Sequence, residues 1–255
     1  MDLALDVGVS PRHLSFVETG RSRPSPELVL ALAEGLDVPL RERNSLLLAA
    51  GYAPRYTETS LDAPTMSRVH ASLQRLLDTH DPYPGVAIDR YWNVVLANRA
   101  ATALTVGIPE HVIGPSMNVF RLCLHPDGLA PRTLNFPDWA AYLLQQLHRL
   151  VVLTTDPDVQ RLEREMRAYP NVMVLGEHSL WDGWDDPAIL VPLRLELGEV
   201  ELSMFTTLTT FGTPRDITLD ELAVELFFPA DDLTDEALRA AARSSIPVDE
   251  QGALR

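Results

Sequence analysis

Two Ser-Pro pairs, Ser10-Pro11 and Ser25-Pro26, set the frame for the first fifty residues. Serine is a favoured helix N-cap, and proline fits the first helical turn, where its missing N–H has no intrahelical partner to lose. Each pair stands shortly after a glycine (Gly8, Gly20) and opens an apolar run at helical spacing: Leu14 and Val17 after the first, and Leu28, Val29, Leu32, Ala33 and Leu36 after the second. A chain punctuated this closely is confined to short helices joined by tight turns. Leu3–Val7 reads as the end of a helix stopped by Gly8, and Leu40–Ala50 as a last one stopped at Gly51.

The charge of the chain changes after this segment. Of 255 residues, 21 are basic, all of them arginine, against 36 acids, for a net charge of −15. Six arginines and seven acids fall by Arg55, a net of −1, which leaves −14 on the other 200 residues. An acidic chain repels nucleic acid at long range, so any DNA contact must come from a local patch in the first segment. Hydrophobic residues at 46% suffice for two cores. No apolar run reaches the roughly 18–20 residues that span a bilayer, and the start lacks the form of a signal peptide. The sequence therefore reads as a soluble, cytoplasmic protein with no membrane partner.

The run GVSPRHLSFVETGRSRPSPELVLALAEGLDVP resembles the helix-turn-helix of the lambda-repressor-like regulators. A short helix, a glycine turn and a Ser-capped second helix let that second helix lie in a major groove. On this resemblance Ser10, Arg12, His13 and Ser15 reach bases or phosphates, and Arg21 and Arg23 in the following loop meet the phosphate backbone. Glu18 matches the acid that braces the turn in that family. Such domains open with a further helix ending in Ser-Gln, which is missing here. The expectation is an all-α helix-turn-helix domain over residues 1–53 with its first helix missing, and a start codon upstream of Met1.

Residues 54–64 are polar, carry a proline at each end and show no periodicity, as expected of a linker. Beyond them Met66, Val69, Leu73, Leu76 and Leu77 form an amphipathic stripe, which either packs on the second domain or carries homodimer contacts. The period then shifts. Val86 and Ile88, then Trp92, Val94 and Val95, suggest two short strands that turn near Asp89-Arg90 or Asn93. Helices are expected over Arg99–Leu104, over Pro137–Val152, after Asp156-Pro157, and from Thr234 over Leu238–Arg243, with a frayed tail from Ser244. The clearest local signal is a hairpin. Leu193, Leu195 and Leu197 alternate, Gly198-Glu199 suits a type II′ turn, and Val200, Leu202 and Met204 alternate back, pairing Leu197 with Val200, Leu195 with Leu202 and Leu193 with Met204. Thr206 to Phe211 extends its second strand.

Three stretches, YWNVVLANRAATAL, MNVFRLCLHPDGLAPRTLNFPDWAAYLLQQL and FTTLTTFGTPRDITLDELAVELFFPAD, resemble the ligand-binding domain of the MmyB-like transcription regulators. The resemblance implies that residues 65–255 form an α+β, PAS-like domain with an antiparallel sheet around a pocket. It places Asn98, Arg121, Arg132 and Trp139 on family positions. A plainer reading of each is available: Asn98 as a helix cap, the arginines as structural ion pairs, Trp139 as core. The candidate pocket lining is Trp92, Val94, Leu96, Phe120, Trp139, Leu143, Leu147, Met204 and Phe205, mostly apolar, so the expected guest is a small hydrophobic molecule such as a fatty acid, its carboxylate held by Arg121 or Arg132.

No Gly-x-Ser-x-Gly elbow, phosphate-cradling loop or His-Glu-x-x-His helix is present. Cys123 lies in an apolar run, and His125-Pro126-Asp127-Gly128 reads as a turn. The cluster of Glu177, His178, Asp182, Asp185 and Asp186 fits no standard metal spacing, and Trp181 and Trp184 interleave it. Neither an enzyme nor a cofactor nor a bound metal is expected. The sequence points to a ligand-responsive regulator that binds operator DNA as a homodimer. The competing reading is a small-molecule (lipid) binding module whose helix-turn-helix is a non-functional remnant used for packing or dimerisation.

Overall fold

The computed structural model describes residues 2–154, 156–176 and 190–244. The chain divides into two compact units. The first comprises residues 1–69 and 210–222, and the second residues 70–209 and 223–255.

In the first unit the Ser-Pro pairs act as expected. Helix α1 (Asp2–Asp6) ends in a turn through Gly8, whose φ of +70° is left-handed. Ser10 caps α2 (Pro11–Glu18) by accepting from the His13 N–H at 3.2 Å, and Ser25 caps α3 (Pro26–Gly35) by accepting from the Leu28 N–H at 3.2 Å. Helix α4 (Leu40–Ala49) completes the bundle, and Leu28, Val29, Ala33, Leu40 and Leu47 are buried.

Residues 54–64, expected to be a bare linker, are tied into this unit. Asp216 accepts from the Thr57 and Thr59 hydroxyls at 2.8 and 2.7 Å and caps the short α12 (Ile217–Asp220). Burial works against ionising Asp216, but the bonds from Thr59 and Thr57 outweigh it and hold the carboxyl below its usual range. Arg41 bridges Glu221, at 2.6 Å, and Glu58. A single cut at residues 54–64 therefore misses the return of residues 210–222, whose partners lie more than 150 residues earlier in the chain.

The second unit is built on a five-stranded sheet of order β2-β1-β5-β4-β3. The strands are β1 (Gly85–Ile88), β2 (Val94–Ala97), β3 (Leu193–Leu197), β4 (Val200–Thr210) and β5 (Ala223–Pro229), and β1–β2, β1–β5 and β3–β4 pair antiparallel. With its flanking helices this is an α+β, PAS-like arrangement. The hairpin register is as expected, with Leu197 opposite Val200, Leu195 opposite Leu202 and Leu193 opposite Met204. Gly198 sits at φ +65° and Glu199 outside the left-handed region, as a type II′ turn requires.

The helices of this unit are α5 (Ser67–His80), α6 (Arg99–Leu104), α7 (Glu110–Ile113), α8 (Val119–Leu124), α9 (Phe136–Thr154), α10 (Pro157–Arg167), α11 (Pro170–Met173) and α13 (Asp232–Ser244). The expected tail beyond Ser244 lies outside the described residues. One sheet face carries Val86, Ile88, Leu193, Leu195, Leu202 and Met204 into a core with Phe120, Leu124, Trp139, Leu143 and Leu147. On α5, Leu73 and Leu77 are buried, and Leu77 reaches the backbone of Gly85. Met66 is buried as well, whereas Val69 is half-buried and Leu76 is 45% exposed, so the stripe is only partly covered.

Buried Asn98 holds the start of the sheet to its helices. Its Oδ1 accepts from the Gly85 and Ala101 N–H groups at 3.0 and 2.9 Å, and its Nδ2 donates to the Leu77 and Tyr83 carbonyls at 3.1 and 2.8 Å. Asn98→Ala strands four buried backbone groups and should cost at least about 3 kcal/mol, read as a roughly 10 °C fall in the melting temperature. Asn98→Asp would set a carboxylate against two carbonyls, raising its folded-state pKa above the unfolded value. Its stability should therefore fall as pH rises from 4 to 7, a trend opposite to that of an ordinary paired carboxylate and visible in a pH series of thermal melts.

Candidate functional site

Helix α2 has no buried side chain, so its polar residues are open to a partner. Arg12 and Ser15 are exposed, His13 is half-buried, and Ser10 is occupied as the N-cap. The Arg12 guanidinium lies 5.3 Å over the Phe16 ring, which orders the side chain without neutralising it. Arg21 is exposed in the loop that follows. Glu18, expected to brace the turn, is exposed and makes no side-chain hydrogen bond among the described residues.

Arg23 differs from expectation. Its Nε donates to the Ala50 carbonyl at 2.9 Å and its Nη2 to that of Gly51 at 3.0 Å, while the guanidinium stacks 4.6 Å over Tyr52. These are the open carbonyls at the end of α4, and a planar fork on an aromatic face suits them. Gly51 is fixed by the same contact, because its φ is +77° and a Cβ there would meet Arg23 Nη2 at 2.6 Å. Arg23 is thus a structural tie in this structure, hidden in the sequence because its partners lie 27 and 28 residues away.

In the second unit the expected ligand residues divide. Phe120, Trp139, Leu143, Leu147 and Met204 are all 0–3% exposed and share one packed core, with Trp92 and Val94 against its edge. Leu96 and Phe205 face the other way. A bulge between Ala87 and Ile88 pairs Val94 with Ile88 but Leu96 with Ala87, so spacing by two no longer means one face. Phe205 follows Met204 in a strand, must point to the opposite side, and stacks on Phe228 at 5.5 Å. Trp92 is in the turn, with φ +62°, held by Asp89, which accepts from the flanking Tyr91 and Asn93 N–H groups, and by its ring against Phe120 at 4.8 Å.

Neither expected headgroup arginine enters that core. Arg121 makes a bidentate pair with Glu165, Nε at 2.7 Å and Nη2 at 2.8 Å, and Tyr169 donates to the same carboxylate. The Arg121 hydrogen bonds hold Glu165 below its usual range against the opposing effect of burial. Arg121 lines an open surface cleft on α8 and α10 with Asp158, Arg161, Leu162, Arg164 and Glu165, of about 560 Å³. Arg132 is half-buried and donates to the Val106 carbonyl at 3.3 Å.

An apolar pocket of about 220 Å³ lies elsewhere, between α6, α13 and the β3–β4 hairpin. Ala103, Leu104, Leu197, Leu202, Leu238 and Ala241 line it, and half-exposed Arg99 contributes the basic group, 3.7 Å from Asp81. No residue of this lining was read as a site from sequence; the signal available was the small-residue face of α13, Ala237, Ala241 and Ala242.

The remaining chemistry is quiet. Burial and the Glu225 charge push the Cys123 thiol up to about 12, so it is no nucleophile. His111, His125 and Asp127 bring potential ligand atoms within 4.8 Å of one another. Each already has a protein partner: the Asp127 N–H donates to His125 Nδ1 at 3.0 Å, and Asp127 meets His111 at 3.1 Å. The cluster from Glu177 to Asp186, with its two tryptophans, lies outside the described residues.

A family model described as MmyB-like transcription regulator ligand binding domain matches residues 69–241, and one described as Helix-turn-helix matches residues 2–43. No curated protein matches the chain. A solved structure titled "Structure of an RNA-binding Light-Oxygen-Voltage Receptor" is 14% identical and covers 95% of this chain and 61% of its own, with a TM-score of 0.27 that supports no argument. This chain thus spans under two thirds of that one.

Arg23→Ala should lower the stability of the helical unit by about 1 kcal/mol, the net worth of the hydrogen bonds it removes, and Arg23→Lys should not restore it. Thermal melts followed by helical circular dichroism would show this. An unchanged melt in both variants would return Arg23 to the list of DNA contacts.

Proposed function

The chain belongs to the family of MmyB-like transcription regulators with a ligand-binding domain, and on that premise we propose that it couples the binding of a small hydrophobic molecule to the occupancy of operator DNA. A helix-turn-helix followed by a ligand-binding domain supports a ligand-responsive regulator. The observation that carries the DNA half is the bare face of α2, whose Arg12 and Ser15 are exposed beside Arg21 while the rest of the unit is tied together behind it. Ser10 and His13 stand at the start of the same helix, where a groove-reading helix makes its base contacts. A two-fold operator makes a homodimer the expected form on DNA. No described helix is long and apolar enough to cross a membrane, which agrees with a regulator that works in the cytoplasm.

The ligand half rests on the α6–α13 pocket. Its lining is aliphatic apart from Arg99, the arrangement a fatty acid needs: an apolar sleeve with one guanidinium for the carboxylate. Arg121 and Arg132 are engaged elsewhere, so Arg99 replaces them in this reading.

The DNA reading is tested by fluorescence anisotropy on the protein's own promoter fragment. Arg12→Ala should weaken binding and reduce the slope of log affinity against log salt by about 1, the value for one lost phosphate contact. Binding that fails for wild type at low salt would favour a ligand-binding module with a helix-turn-helix remnant. The acyl reading predicts that hexanoate raises the melting temperature, and that Ala103→Phe, which fills the pocket, removes the shift. A shift that survives the filled pocket would place the acid elsewhere.

A further inference from the structure

Glu225 is the exceptional residue in the core of the second unit. It sits in the central strand β5, opposite Val86, and is 2% exposed. The Thr206 hydroxyl of β4 lies close enough to the carboxyl group to favour its charged form, while Oε2 has no hydrogen-bond partner among the described residues. Trp139 of α9, 3% exposed, turns its indole N–H toward the Cys123 thiol of α8, a weak acceptor, and has no nitrogen or oxygen partner among the described residues. Tyr142, three residues along α9, stands 5.1 Å from the Trp139 ring. Four elements of an otherwise apolar core thus deliver polar groups to one place.

Two of those groups are unpaired in a complementary way, one an acceptor and the other a donor. Buried polar atoms are nearly always paired, because an unpaired one loses its water and gains nothing. Burial also pushes Glu225 up to about 7, and among the described residues no cation lies against it to reverse the effect. The surroundings therefore suit a neutral partner. Thr206 and Tyr142, at the edge of this cluster, are only half-buried.

We propose that Glu225 and Trp139 form the polar end of a ligand subsite for the hydroxyl group of an uncharged, otherwise apolar molecule, the hydroxyl donating to Glu225 Oε2 and accepting from Trp139 Nε1. A hydroxyl is the smallest group that answers both atoms at once. A carboxylate would face an acidic group, and an ammonium would leave the indole N–H without an acceptor. The proposal rests on the ligand-binding reading of this unit, but it shares no lining residue with the Arg99 pocket.

Three six-carbon probes of equal chain length separate the cases: 1-hexanol, hexanoate and hexylammonium, titrated by thermal shift and tryptophan fluorescence. Hexanol should bind at least about tenfold more tightly than hexylammonium, because it keeps the indole hydrogen bond and carries no charge into the core. Trp139→Phe should remove several-fold of that preference and Glu225→Leu all of it, with the hexanoate response unchanged in both. Ala103→Phe should do the reverse, removing the hexanoate shift and sparing hexanol, so the failure of one reading is distinct from failure of the other. Equal affinity for hexanol and hexylammonium in wild type, or a preference that survives both substitutions, would leave the cluster as a site for bound water and overturn the proposal. The wild-type order decides even where a variant does not fold.

Discussion

The second unit depends on one buried amide. Asn98 meets the last turn of α5, the residue before Pro84, the first strand residue and the first turn of α6 through four hydrogen bonds, each to backbone. All four capacities of the side chain are used, and no other side chain offers two donors and two acceptors in a plane at that length except glutamine, one methylene longer. With β1 placed by this contact, β5 pairs along the whole length of β1 and the sheet's two faces are assigned: Val86 and Ile88 toward the α8–α9 core, Ala87 away from it. Cap and clamp are the same residue, so the helix-capping and positional readings of Asn98 were never alternatives.

What could be read in the sequence was whatever depends on short separations. The hairpin from Leu193 to Met204 appeared in its observed register because alternation and a Gly-Glu turn settle it within twelve residues. The Ser-Pro caps did the same for α2 and α3. What could not be read depends on partners brought close by the fold. Arg121 finds Glu165 across 44 residues and Arg23 finds Ala50 across 27, and nothing in the flanking residues announces either pairing. The misassignment of Leu96 has a different origin. One extra residue in β2, Val95, inverts the face of everything after it, and a strand of four residues is too short for the pattern to reveal the slip. Glu225 had a signal that went unused: an acid in the middle of Ala-Val-Glu-Leu-Phe-Phe, where a solvent face is contradicted by the apolar residues that share its side of the strand.

The arginines of the helical unit define how it can meet DNA. Six occur by Arg55, and three are committed inside the unit: Arg23 to the end of α4, Arg41 to Glu58 and Glu221, and Arg43 to the Val38 carbonyl at 2.6 Å. Arg12 and Arg21 remain exposed on or beside α2, the helix proposed to read the groove. Two phosphate contacts per protomer correspond to a salt slope of about −2, or roughly −4 for a dimer, which is small beside proteins that rely on charge for most of their affinity. With a net −15 on the whole chain, non-specific attraction is weak as well. On the proposed reading, discrimination would then come from Ser10, His13 and Ser15 at base edges and from the spacing of two half-sites. A modest change in that spacing, driven by a ligand, is enough to release a protein held by so few charges, and that sensitivity makes a ligand-responsive unit effective on this scaffold.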